Sequence, residues 1–179
     1  MTHHFDPADL LPEDLTGFVD LTGIVDGDAL LWDSGSGLFV PGAPGGGGGG
    51  SLSDADTADV NTNESTTSTT FTDLATAGPA VTVTIGASGL ALVTVVAFML
   101  NTSSVGQCRM AFEVSGATTR AVDLNDAAIQ RGTATATTEK QTLLLGLAAG
   151  ATTFTAKYAT AGTSSSASFN LRRIIVLAL

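Results

Sequence analysis

The chain has 179 residues and a formal net charge of −10, with all seven Lys and Arg residues at or beyond Arg109. That balance argues against nucleic acid as the main partner, because phosphate binding needs basic side chains, and it favours solubility or docking onto a basic protein surface. The longest apolar run, Leu90–Leu100, is about half of what a bilayer span requires, so no membrane insertion is expected. No basic, signal-like segment opens the chain, so secretory export is not expected either.

In chain order, residues 5–22 carry Phe5, Leu10, Leu11, Leu15, Phe18 and Leu21 among acids and turn formers. Pro12 and Gly17 limit any helix there to a turn or two, which leaves apolar side chains in need of a surface from elsewhere. Residues 24–41 predict a hairpin. Ala29–Asp33 forms one strand, Ser34-Gly35-Ser36-Gly37 the loop, and Leu38–Val40 the return. A four-residue loop sets Trp32 opposite Phe39 and Leu31 opposite Val40. A lone two-stranded hairpin is marginal in water, so Leu30, Leu31, Trp32, Phe39 and Val40 are expected to dock onto another chain. Gly45–Gly50 is a tether, with a reach of about 15 Å. Residues 51–68 are Ser, Thr, Asp and Asn with little to bury and read as its continuation. Asp54, Asp56 and Asp59 do not follow the spacing of a calcium loop.

From Thr69 the pattern changes to short β-branched runs broken by Gly, Ser and Asn. The spacing predicts strands over 70–74, 80–85, 90–100, 107–114, 127–138, 141–147, 152–159 and 168–177; Leu124–Gln130 reads equally as a helical turn. Strict alternation in Val81-Thr82-Val83-Thr84-Ile85 marks a half-buried strand. The expected fold is all-β: an antiparallel, jelly-roll-like β-sandwich over 69–179, preceded by a hairpin anchor in 1–42 and a linker over 43–68. Residues 90–100 and 174–179 are apolar at nearly every position. A sandwich turns one face of a strand inward, so the other must meet something else, and a neighbouring copy is the simplest cover.

Catalytic chemistry is hard to assemble from these residues. The β-rich part has no His, and Cys108 has no imidazole to activate it. Asp123, Asp126 and Glu113 read as rim charges and turn formers rather than a glycosidase pair. No enzyme, cofactor or metal site is expected. The polar loops at Ser103–Gln107, Thr118–Asn125 and Gly162–Ser166 can present hydroxyls to a glycan. Arg172 and Arg173 read as partners in an interface ion pair.

Asp20-Leu21-Thr22, Gly27-Asp28-Ala29-Leu30-Leu31-Trp32-Asp33 and Gly37-Leu38-Phe39-Val40-Pro41-Gly42 together resemble a cassette of bacteriophage tail and fibre proteins. There it recurs along a trimeric shaft or attaches the protein to the particle; this chain has a single copy. Leu145-Gly146-Leu147 with Gly150, Thr153–Tyr158, and Phe169 with Arg172–Val176 are similar to β-sandwich domains ending tail or head-decoration proteins of phages that infect actinobacteria. The resemblance implies a non-enzymatic virion structural protein, a minor tail or short fibre component, expected as a homotrimer bound to tail or capsid proteins and located in the virion. Two alternatives are a head decoration or head fibre on the major capsid protein, and a carbohydrate-binding module for host recognition. Virion docking and oligomer contacts are expected from Phe5, Leu15, Phe18, the hairpin residues named above, Arg172 and Arg173.

Overall fold

Alternation between aliphatic and hydroxyl side chains makes 80–85 a strand with one wet face. It folds so: Val81, Val83 and Ile85 are buried and Thr82 and Thr84 exposed. The computed structural model of the protein describes residues 29–33, 35, 38–42, 52–162 and 165–179. They belong to two units, Met1–Ser51 and Leu52–Leu179.

In the first unit, β1 (Ala29–Asp33) and β2 (Leu38–Gly42) pair antiparallel. Trp32 faces Phe39 and Leu31 faces Val40, the register the four-residue loop predicts. Directly opposed residues share a face of the ribbon. Phe5, Leu15 and Phe18 lie outside the described residues.

The second unit contains β3 (Asp54–Val60), β4 (Glu64–Thr66), β5 (Ala80–Ile85), β6 (Ala91–Asn101), β7 (Gln107–Gly116), β8 (Ala128–Arg131), β9 (Ala136–Leu144), β10 (Gly150–Ala161) and β11 (Ala167–Ala178). One sheet has the order β5-β10-β7-β8; the other runs β3-β11-β6-β9, with β4 also on β11. All of these pairings are antiparallel. The chain changes sheet at every step from β5 to β7 and again from β8 to β11, with β7 and β8 the one consecutive pair among these in the same sheet, and the two sheets close a jelly-roll-like β-sandwich. Between them lie Val93, Val95, Met99, Met110, Phe112, Phe154, Tyr158, Phe169, Ile174 and Val176, all essentially without solvent contact. The Phe112 and Phe154 rings tilt against each other at 6.1 Å, and those of Tyr158 and Phe169 at 4.9 Å, within the range of favourable aromatic pairs.

Three expectations need correction. First, the sandwich begins at Leu52 rather than Thr69, because the stretch read as linker supplies β3 and β4. Asp, Ala and Thr have weak strand preference, but β-propensity yields to a good partner. Asp54–Val60 lies along Ala178–Arg172 of β11. The Asp54 carboxylate also accepts the Thr84 N–H at 2.8 Å, so β3 covers part of the open edge of β5. Second, residues 70–74 form no strand; Thr72 makes a single backbone bridge to Tyr158 of β10. Third, the run 127–138 divides into β8 and the start of β9, which lie in different sheets. The break falls at Gly132, whose φ of +70° suits glycine. The buried Gln130 amide donates to the Arg131, Gly132 and Ala134 carbonyls and fixes the crossover. The helical reading of 124–130 shortens to one 3-10 turn, Leu124–Asp126.

The Tyr158 hydroxyl donates to the buried Gly78 carbonyl at 2.8 Å. Tyr158→Phe keeps the ring and orphans that carbonyl, so the domain should lose about 1–3 kcal/mol. Urea denaturation checks this: an unchanged midpoint would show the bond to be dispensable.

Candidate interaction surface

Strands β6 and β11 lie side by side in the interior of the five-stranded sheet, and over Ala91–Leu100 and Ile174–Ala178 they are largely apolar on two faces. Inward, Ala91, Val93, Val95, Ala97 and Met99 of β6 and Ile174, Val176 and Ala178 of β11 are fully buried. Outward, β6 presents Leu92, Val96, Phe98 and Leu100, and β11 presents Ile175 and Leu177. Register places Leu177, Leu92 and Leu143 abreast across three strands. Phe98 is 37% exposed, Leu100 38% and Leu143 54%. The surplus of apolar positions legible in the sequence thus becomes a real apolar surface.

Charge on this face is sparse: besides the exposed Glu139 of β9, which register sets opposite Val96, it holds one ion pair. Arg173 hydrogen-bonds Asp59 of neighbouring β3 through Nε and Nη2, the latter at 3.1 Å. A hollow of about 320 Å³ lies against Val96, Ile175 and Arg173. Next to it β11 carries a bulge: Asn170 pairs with Phe98 and Arg173 with Val96, so Leu171 and Arg172 together oppose Ala97. Leu171 takes a φ of +48° there, a conformation disfavoured for a branched side chain.

The bulge shifts the alternation by one residue, from Phe169 inward to Arg172 inward. Arg172 is therefore completely buried and is not a docking residue, which corrects the expectation of an interface ion pair. Its Nη2 lies 3.0 Å from Glu64 Oε2. Its guanidinium carbon lies 5.3 Å from the centroid of the Tyr158 ring, a cation–π distance. Long hydrogen bonds of 3.4 Å run to the Thr62 and Thr76 carbonyls. Glu64 in turn accepts the Thr76 N–H at 3.0 Å and the Thr76 hydroxyl at 2.7 Å. Sequence reading missed this network, although Arg172 is in phase with Ile174, Val176 and Ala178. Arg173 does reach the surface, but its ion-pair partner is Asp59 of its own chain.

Of the polar loops, Thr102–Gly106 meets Gly162 and Ser166 at one end of the sandwich. The Thr102 N–H donates to the Ser166 carbonyl, and the Ser166 N–H to the Thr102 hydroxyl, each at 3.0 Å. Thr118 lies at the other end, where its hydroxyl accepts the Ala148 N–H, so the three loops form no single site. Asp123 and Asp126 both hold Arg120. The Cys108 thiol is buried, and burial raises its pKa against weaker opposing hydrogen bonds, which leaves it unreactive. Among the described residues, no group of three or more His, Cys, Asp or Glu is placed to hold a metal ion, and no helix is long and apolar enough to cross a membrane.

No family model and no curated protein matches the chain. Among solved structures it aligns with that of Eiger TNF from S. frugiperda at 11% identity and a TM-score of 0.37, over 65% of this chain and 91% of that one.

The Glu64 carboxyl is held below its ordinary range, chiefly by the Thr76 hydroxyl; burial opposes this, and the Thr76 amide and Arg172 assist. Folding therefore favours the ionised form. The stabilisation is fully present above the ordinary glutamate value of about 4.3 and is lost as pH falls through the depressed folded value. Glu64→Gln should lower the thermal midpoint at neutral pH, and its gap to the wild type should narrow below about pH 4. A gap that does not change with pH would refute the role given to the Glu64 charge.

Proposed function

We propose that the chain is a non-enzymatic structural component of a bacteriophage particle, a minor tail or short fibre protein that displays its sandwich in several copies. The observation that carries the reading is the apolar outer face of the five-stranded sheet. Four strands at about 4.8 Å spacing, each about eight residues long, make a face of roughly 500 Å² in projection. Side-chain relief enlarges that area toward the roughly 800 Å² each partner gives to a stable interface. A single molecule leaves this face in water. A second copy is its best cover, because Arg173 and Asp59 already neutralise each other there. Residues 52–179 also carry nine acids against seven bases, so like copies repel little.

The hairpin supports the anchoring half of the reading. Its register puts Trp32 and Phe39 at opposed positions, in the segment that resembles the phage attachment cassette, and six glycines separate it from the sandwich. Burying a large apolar side chain contributes about 1.5–3 kcal/mol, and identical copies multiply that hold. The copies stand in the trimer that the resemblance implies.

One pair of variants tests both halves. The full chain should sediment at three times the chain mass, and the double variant Phe98→Glu with Leu143→Glu at a single chain mass with its fold intact. Trp32→Ala should keep the larger mass and lose incorporation into particles. A wild-type monomer, or normal incorporation of Trp32→Ala, would overturn the corresponding half.

A further inference from the structure

A second feature lies on the opposite side of the sandwich, where the four-stranded sheet turns its own outer face to solvent. Residues 70–73 flank β10, bridged to it at Thr72 and Tyr158, on one side, and residues 121–122 border the other. Between them is an open cleft of about 580 Å³, within the roughly 300–1,000 Å³ of small-molecule sites. Its charged residues come from three separate segments. Lys157 stands on β10, with its side chain 16% exposed; its ammonium lies 2.9 and 3.0 Å from the Asp73 oxygens and 3.2 Å from Glu113 Oε2 on β7. Phe71, partly exposed, and Val122 supply apolar lining.

The state of each group limits what can bind. Burial alone would lower the pKa of the Lys157 ammonium, but the hydrogen bonds it donates to Asp73 and Glu113 outweigh burial and hold the group charged. Its donors already point at two carboxylates, so an anion would meet net negative charge rather than a free cation. A ligand cation would compete with an ammonium already seated between the two acids. Glu113 Oε1 has no partner among the described residues, and both carboxylates remain nearly half exposed. The cleft therefore offers open acceptors, an aromatic ring and an apolar side chain within one small volume. A neutral molecule with several hydroxyls and an apolar C–H face matches all three.

We infer that this cleft is a binding site for a neutral pyranose, with Phe71 under the C–H face of the ring and Asp73 and Glu113 accepting from its hydroxyls. The ammonium of Lys157 fixes the two carboxylates in place and is a positioning residue. The site is on the far side from the self-association face, so stacking copies through the five-stranded sheet leaves it open, and several copies provide several sites.

The test is a titration of the full chain, labelled with nitrogen-15, with the methyl glycosides of glucose, galactose, mannose and N-acetylglucosamine into the millimolar range. At least one glycoside should shift the amides of Phe71, Thr72, Glu113 and Val122 saturably. Phe71→Ala and Glu113→Gln should each weaken that binding by about tenfold, and Phe71→Tyr should restore it. If Phe71→Ala loses the spectral dispersion of a folded chain, Phe71→Leu carries the same comparison. No saturable shift with any of the four glycosides overturns the inference. So does equal binding by the folded Phe71 variant, or a response of these amides to methylguanidinium alone.

Discussion

A strand has two faces, and a sandwich core uses one of them. Much of what is distinctive about this domain follows from β6 and β11, whose adjoining stretches Ala91–Leu100 and Ile174–Ala178 are largely apolar on both faces and lie next to each other inside one sheet. Their inward residues are fully buried and form most of one wall of the core. Their outward residues, with Leu143 beside them, form a surface that water alone covers poorly. An edge position would dilute such strands among polar neighbours, as in β9, where Thr, Glu, Lys and Gln dominate. In the interior of the sheet they concentrate instead.

The sandwich depends equally on a segment that carries few apolar residues. Strand β3 follows β11 along its length, and Asp54 satisfies an N–H at the edge of β5. Strand β4 brings Glu64 against Arg172, and Thr76 grips the same carboxylate from the other side. A buried ion pair is weak evidence for stability, because desolvation opposes the attraction, yet breaking one is costly. Here the pair specifies position: it fixes where residues 62–76 lie relative to β10 and β11. The acidity of this stretch is thus partly structural. Asp54, Asp59 and Glu64 each have a named partner, whereas Asp56 caps only the next backbone amide, that of Thr57.

Local rules made much of this architecture readable. Strand β5 covers the residues its alternation predicts, and β6, β7, β10 and β11 fall within two residues of expectation because their β-branched runs end at Gly, Ser or Asn. The hairpin register followed from loop length alone. What escaped was set by distant partners. Nothing in Asp54–Val60 announces a strand until β11 is beside it. The division at Gly132 depends on a change of sheet, which no periodicity records. The bulge at Leu171–Arg172 moved a charged side chain into the core, although its spacing from Ile174 and Val176 carried the hint. The cleft at Lys157 joins three segments far apart in sequence, so its convergence had no local signature.

The outer face of the five-stranded sheet carries more apolar surface than one chain can cover. The central claim is that the outer face of the five-stranded sheet is covered in the native protein. Hydroxyl-radical footprinting of the unmodified full chain, read by mass spectrometry, measures this directly, with the 78% exposed Val105 as internal reference. The account predicts that Phe98, Leu100 and Leu143 are oxidised much more slowly than Val105 in the native chain and catch up on dilution into dissociating conditions. Oxidation of these three in step with their exposure in a single chain, unaffected by dilution, would contradict it.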